Sequence, residues 1–250
     1  MRPPGSAAGL VGHANPESFG LFEEGNTFML SWGRVRRAIQ PVVLKYWLNR
    51  RSGKLVDTRV EGLDLEVFPS VFHPRYFGSS SILAKFVSAL PLRGKSFLEI
   101  GCGSGVVALC AARAGADVTA VDINPEAVGC TAANAASNKL RVDVRLGDLF
   151  SSVNGAQFDV IAWNPPFLPG LSKSPAESAF YGGPNFDVIR RFIGEARNYL
   201  TGDGVIYTIL SADIDIGEIQ TLFRNEGFSA SPAFSTRWGL GETLVILCAR

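Results

Sequence analysis

Apolar residues recur with two different periods along this chain, and the change from one to the other organises it. Thr58–Val67 (TRVEGLDLEV) alternates apolar and polar positions around Glu61-Gly62, the pattern of a β-hairpin. From Ser79 onward, short and nearly continuous apolar runs alternate with stretches of helical period. Ser96–Ile100, Val118–Asp122, Arg141–Leu146, Phe158–Trp163 and Val205–Leu210 read as strands. A helix is expected over Ile82–Leu90, stopping at Pro91, and another runs from the glycines after Ile100 to near Gly115. Asn124-Pro125-Glu126 supplies an N-cap, a proline for the first helical position and an acid for the first turn. After Asn185, Ile189, Phe192, Ile193, Ala196 and Leu200 follow helical spacing, with Gly202–Gly204 as the expected end. A helix through Ile216, Ile219, Leu222 and Phe223 closes at Gly227, and strands near Phe228–Phe234 and Thr243–Ala249 follow.

Strands that alternate with helices, and are apolar on both faces, predict an α/β fold with a mostly parallel sheet covered on both sides. Ligands of such sheets lie at the carboxyl ends of the strands. Ahead of this pattern, residues 1–27 read as a loose polar arm and residues 28–51 as a helical stretch broken at Pro41. Residues 1–65 together read as an N-terminal extension to the α/β pattern.

Composition narrows the class. A hydrophobic content of 46% and a mean hydropathy of +0.16 supply a sizeable core and exclude a disordered or collagen-like chain. With 24 basic and 23 acidic residues the net charge is +1, which argues against bulk attraction to polyanions. The basic residues are nevertheless clustered from Arg34 to Lys54, where Arg36, Arg37, Lys45, Arg50 and Arg51 accompany them. A solvated helix face, a phosphate-contacting patch for RNA and a membrane-surface helix with Trp32, Tyr46 and Trp47 all remain open there. Four cysteines without a CxxC pair argue against a disulfide scaffold or zinc site and suit a reducing cytoplasm. No apolar run approaches the ~18 residues of a spanning helix, and MRPPGSAAGL lacks the form of a secretory signal.

The candidate chemistry lies just after predicted strands. Glu99-Ile-Gly101-Cys-Gly103-Ser-Gly105 ends one strand and opens a helix, a turn in which backbone can approach a ligand closely. By itself this is also an ordinary glycine-rich turn. Asp122 ends the next strand, where a carboxylate can accept from both hydroxyls of a ribose; Asn124 already fits the helix cap. Asp148, in Leu146-Gly-Asp-Leu-Phe150, can meet an adenine amino group or serve as a solvated turn aspartate. Asn164-Pro165-Pro166-Phe167 is the most specific feature. Its prolines force extended geometry on Asn164, presenting an amide oxygen and a backbone carbonyl as acceptors beside an aromatic face. That constellation suits a planar –NH2 group.

FLEIGCGSG, VTAVDINPEA, RLGDLF and FDVIAWNPPF, in this order, resemble class I S-adenosylmethionine-dependent methyltransferases over roughly residues 66–250. NPPF is similar to the motif of the amino-methylating group, which acts on glutamine side chains or on exocyclic amino groups of adenine and guanine. The resemblance implies a Rossmann-like, seven-stranded, mostly parallel sheet with an antiparallel C-terminal strand. It implies that Glu99 lies near the methionine amino group and that Gly101, Gly103 and Gly105 lie against the cofactor. Asp122 would hold the ribose, Ile123 would pack on adenine, and Asp148 with Leu149 would meet the adenine edge. Ser80, after Val71-Phe-His-Pro-Arg-Tyr-Phe77, would lie near the methionine part. Asn164 and the Pro165 carbonyl would bind the reacting nitrogen, with Pro166 and Phe167 beside the substrate. Tyr181-Gly-Gly-Pro-Asn-Phe-Asp187 resembles a stretch of the glutamine-directed branch, but has Phe186 where that branch has glycine. His73 reads as a structural residue of the lid segment, Trp163 as core and the cysteines as small buried hydrophobes.

Direct transfer of a methyl group to a protein glutamine is the leading expectation, and a base of RNA or DNA is the alternative acceptor. A non-catalytic binding module is disfavoured by the intact Glu99–Gly105 and Asn164–Phe167 segments, and a nicotinamide dehydrogenase by Val106, where its fingerprint needs a small residue.

Overall fold

Glu61 and Gly62 both take positive φ, 49° and 77°, the turn whose twist matches two antiparallel strands. The strands it joins are β1 (Val56–Val60) and β2 (Leu63–Val67), a separate two-stranded sheet. In the computed structural model, residues 55–239 and 241–250 are described; the Arg34–Lys54 cluster lies outside them.

After the hairpin come the short helix α1 (Pro74–Phe77) and α2 (Ser79–Ser88). Then β3 (Ser96–Ile100), α3 (Val106–Arg113), β4 (Asp117–Asp122), α4 (Pro125–Ser137), β5 (Asp143–Leu146) and β6 (Phe158–Trp163) follow. The one-turn helix α5 (Pro175–Ser178), α6 (Asp187–Ala196), β7 (Leu200–Ser211), α7 (Ile216–Asn225), β8 (Ala230–Trp238) and β9 (Glu242–Ala249) complete the order. The strands form the seven-stranded sheet that the resemblance implies, in the order β5-β4-β3-β6-β7-β9-β8. β9 runs antiparallel to both its neighbours, while β3 to β7 are parallel. Chain order reverses direction across the sheet between β3 and β6, which is where a crevice opens in such folds.

Strand alternation sorts the apolar side chains onto two faces. Phe97, Ala120, Val160 and Ala162 pack with Leu83, Val87 and Leu109 of α2 and α3. Leu98, Ile100, Val121, Ile161 and Trp163 pack with Ile189, Phe192 and Ile193 of α6 and Ile219 and Phe223 of α7.

Several expected boundaries move: β5 starts at Asp143 rather than Arg141, β8 runs from Ala230 to Trp238 rather than from Phe228 to Phe234, and β7 starts at Leu200, inside the stretch expected to stay helical up to Gly202–Gly204. Leu200 is the first residue of β7, paired with Phe158, not a helical residue. A 3-10 turn at Arg197–Tyr199 ends the helix, and Leu200 is buried in either setting, so apolar spacing alone could not separate the two. Ser79–Ser88 also starts three residues ahead of its expected first residue, because Gly78 at φ 71° lets the chain re-enter a helix directly after α1.

Side chains of α3 and of α4 with its C-cap residue tie the hairpin to the seven-stranded sheet: Arg113 donates to the Glu61 carbonyl, Asn138 bonds both backbone groups of Asp64, and Asn134 reaches furthest inward. Asn134 of α4, 1% exposed, accepts from the Glu66 N–H (2.8 Å) and donates to the carbonyls of Glu66 (3.1 Å) and Ser104 (3.0 Å). It thereby joins β2, α4 and the glycine loop, and β2 spans the position between residues 65 and 66. Asn134→Ala leaves the Glu66 N–H of β2 and the buried Ser104 carbonyl of the glycine loop without this partner, each costing about 1–3 kcal/mol. Urea unfolding should show a loss of about 2 kcal/mol or more, whereas a loss below the error of that measurement would mean that water replaces the amide.

Candidate active site

The parallel strands end on one edge, and the loops after β3, β4, β5 and β6 converge there around a cavity of about 230 Å³. Its wall includes Gly101, Gly103, Asp122, Ile123, Asp148, Leu149, Asn164, Pro166 and Ser80, drawn from segments far apart in sequence. Gly101 and Gly103 have φ of 67° and 53°, and a Cβ on either would point at Trp163, Val71 or Phe72 of the same wall, 3.9–4.0 Å away. The loop therefore offers bare backbone to the cavity.

Asp122 is held at the end of β4 by backbone donors. Its Oδ2 accepts from the Gly103 N–H and its Oδ1 from the Asn124 N–H, both 2.9 Å. Burial raises its carboxyl above the ordinary value, and the Asn124, Gly103 and Ile123 N–H groups oppose that rise. Ile123 is exposed on the cavity wall, an apolar surface of the kind a flat ring can cover. Asp148 Oδ2 accepts from Arg191 of α6 at 2.7 Å, so the aspartate is anchored by a cation rather than solvated alone.

Beyond Asn164 lies a second, smaller cavity of about 50 Å³. Phe72, Asn164 and Ala179 line both, so the two adjoin. The smaller chamber is walled by Pro165, Phe167, Ser79 and Glu242, and by Phe72, Phe77 and Phe180. The last three rings pack on one another at centroid distances of 4.6–5.3 Å.

The loop Asn164–Phe167 is gripped from two sides. Asn164 Nδ2 donates to Ser79 Oγ and Ser80 Oγ, both at 3.0 Å. On the other side Leu168 exchanges hydrogen bonds with Phe180 and Gly182 (2.9 and 3.0 Å), in a parallel bridge to Tyr181. A Cβ at Gly182 would sit 2.1 Å from the Pro166 carbonyl oxygen, so only glycine admits this approach. That is the physical content of the Tyr181-Gly-Gly stretch. Phe186, at its end, keeps the left-handed backbone (φ 56°) that glycine would take without strain.

Three residues singled out from sequence are placed differently from what the resemblance implies. Glu99 is absent from the wall of either cavity. β3 alternation turns it to the helix-covered face, where it is 4% exposed and accepts from the Ala108 N–H at 2.7 Å. Gly105 is likewise behind the loop, where a Cβ would lie 2.8 Å from Thr131 and 2.9 Å from Leu109. Pro166 faces the larger cavity, while Pro165 and Phe167 face the smaller.

His73 caps α1, its Nδ1 accepting from the Arg75 N–H (3.2 Å), and Trp163 stacks on Phe192 at 4.0 Å. The cysteines are free thiols; burial raises those of Cys102, Cys110 and Cys130. Arg191 and Phe180 are wall residues that motif reading passed over, and Phe77 and Ser79 were read only as part of the segment before the glycine loop. The aromatic density around Val71–Phe77 and Phe180-Tyr181 was a signal for the phenylalanines, and no local pattern marked Arg191. Among the described residues no cluster of His, Cys, Asp and Glu could hold a metal, and no helix is long and apolar enough to cross a membrane.

The methyltransferase small domain family matches residues 69–230, and the chain belongs to it. A putative protein N5-glutamine methyltransferase of Methanocaldococcus jannaschii is 36% identical over 193 residues, 75% of this chain and 95% of that one. The release factor glutamine methyltransferase of Salmonella typhimurium is 29% identical over 82% of this chain and 80% of its own. The fold is shared with the 16S rRNA N2 G1207 methyltransferase of T. thermophilus, solved with AdoMet and guanosine. That likeness has a TM-score of 0.62 at 21% identity and covers 79% of this chain and 50% of that one. The protein is an S-adenosylmethionine-dependent N-methyltransferase.

Burial pushes the Glu99 carboxyl well above its usual range; the Ala108 N–H opposes this and the charge of Asp122 adds to it. A raised folded value means that the folded state holds the extra proton, so stability falls as pH rises above the ordinary carboxylate range. Glu99→Gln, which keeps an acceptor for Ala108, should gain stability over the wild type at about pH 8 and lose that advantage near pH 4. Urea unfolding at both values measures it; a difference independent of pH would count against a buried carboxylate.

Proposed function

We propose that this enzyme methylates the side-chain nitrogen of a protein glutamine, with residues 56–250 as its catalytic unit. The observation that carries this reading is the small aromatic chamber beside Asn164. Phe167, Phe72, Phe77 and Phe180 wall it beside the Asn164 amide, apolar faces that suit a methylene and a flat carboxamide. The relatives named for glutamine methylation, and the Tyr181-Gly-Gly segment against the Asn164–Phe167 loop, support the same choice.

S-adenosylmethionine supplies an electrophilic methyl group on a sulfonium. The residues present suit such a group: bare backbone at Gly101 and Gly103, Asp122 for ribose hydroxyls, Ile123 and Leu149 for the adenine face and Asp148 for its edge. Ser80 stands where Asn164 divides the cavities, and Glu99 anchors the first turn of α3, which the loop opens, through the Ala108 N–H.

A carboxamide nitrogen is a weak nucleophile because its lone pair is conjugated with the carbonyl. Asn164 Oδ1 and the Pro165 carbonyl accept its two N–H bonds, which turns the lone pair toward the larger cavity. The same acceptors stabilise positive charge as it develops on nitrogen. Phe167 covers one face of the amide plane, and Phe72, Phe77 and Phe180 exclude water, strengthening these electrostatic interactions. Holding the nitrogen in line can contribute up to ~7–11 kcal/mol in well-aligned systems.

With tritiated S-adenosylmethionine and fractionated extract, label should follow protein and be recovered as methylglutamine. Label on tRNA, rRNA or DNA would replace this reading by the base-directed one. Asn164→Ala should lower kcat about 10²–10³-fold, the scale of losing one preorganised polar group. The dissociation constant of S-adenosylmethionine should move by less than about threefold, since the lost contact is made to the acceptor. Unchanged turnover would sink the assignment.

A further inference from the structure

Trp163 is 2% exposed, and its indole stacks on Phe192 of α6 at 4.0 Å. A phenylalanine could make that stack. What tryptophan adds is an N–H donor, and a buried donor needs an acceptor. No described residue accepts from the Trp163 Nε1–H. The indole lines the larger cavity, and Nε1 lies 3.9 Å from the point that a Cβ on Gly101 would occupy. Its N–H edge is thus turned to the bare glycine backbone of the cavity wall.

We propose that the Trp163 N–H donates a hydrogen bond to the nucleoside half of bound S-adenosylmethionine, at a ring nitrogen of adenine or an oxygen of the ribose. The face of the sheet selects that half. Trp163 shares its apolar cluster with Ile100, Val121 and Leu149, beneath α6. The same helix lends Val188 and Arg191 to the cavity wall, and Arg191 holds Asp148. Ser80 comes instead from α2, which packs on the opposite face of the sheet. Chemistry agrees with the placement. The adenine amino group is a donor and suits Asp148, whereas the ring nitrogens and ribose oxygens are acceptors that need a donor. A sulfonium, being positive, offers nothing to an N–H. The inference rests on the reading of Ile123, Leu149 and Asp148 as the adenine end of the cavity. Trp163 is the last residue of β6 and Asn164 follows it, so consecutive residues on one strand end hold the cofactor and the acceptor nitrogen.

The test follows the indole N–H resonances of the full chain labelled with 15N-tryptophan, which contains four tryptophans. The Trp163 signal is the one missing from Trp163→Phe. Should that variant fail to fold, elimination with Trp32→Phe, Trp47→Phe and Trp238→Phe identifies the signal in the wild type. On saturation with S-adenosylhomocysteine it should move downfield and exchange with solvent more slowly. 5′-Methylthioadenosine, which carries the nucleoside half, should reproduce both changes, and methionine neither. By calorimetry, Trp163→Phe should raise the Kd of S-adenosylhomocysteine about three- to tenfold, the scale of one lost hydrogen bond. A Trp163 signal unmoved by S-adenosylhomocysteine would overturn the proposal, as would an unchanged Kd in folded Trp163→Phe. Changes produced by methionine and not by 5′-methylthioadenosine would overturn it too. Asp148→Ala that binds S-adenosylhomocysteine as tightly as the wild type would instead overturn the reading of the adenine end.

Discussion

β3 and β6 lie side by side and parallel, with Ile100 opposite Trp163, and the site depends on that pairing. Parallel neighbours end on the same edge of a sheet, so the Gly101–Gly105 and Asn164–Phe167 loops must emerge together. Chain order reverses between these two strands, which sends the following helices to opposite faces and leaves a crevice between the loops. Trp163, stacked on Phe192 beneath that crevice, fixes the end of β6 from which Asn164 starts.

Around this pairing the enzyme separates two environments. The larger cavity is polar at Asp122 and Asp148 and lined with backbone, as suits a ligand recognised by hydroxyl and amino groups. The smaller chamber is aromatic and narrow. Asn164 stands on the shared wall with its amide nitrogen spent on serine hydroxyls. Rigidity comes from outside the sheet: Gly182 presses against the Pro166 carbonyl from one side and α2 holds the amide from the other. Close placement of this kind matters because small displacements of reacting groups cost large factors in rate.

Much of this was legible in the sequence. Strand and helix order, the cap at Asn124 and the hairpin at Glu61-Gly62 follow from local patterns that tertiary packing did not override. The cavity-lining roles of Gly101, Gly103, Asp122, Ile123, Asp148 and Asn164 follow from position after strands. Leu200 and Glu99 were harder for one reason: burial does not say against what. Leu200 would be buried on a helix or on a strand, and Glu99 could face the cavity or the helix layer. Only the register of β3 sets the second, and only the 3-10 turn at Arg197–Tyr199 sets the first.

What the sequence by itself determined is the set of local devices, because propensity, capping and a two- or 3.6-residue period act within a few positions. The partners of those devices were decided by the tertiary structure alone. Arg191 meets Asp148 across 43 residues and Ser79 meets Asn164 across 85, separations at which no periodicity carries information. Phe72, Phe77 and Phe180 of the smaller chamber come from two segments brought together by the sheet edge. They are ordinary core-forming residues in the sequence, and become an acceptor wall only because the loop they cover ends beside Asn164.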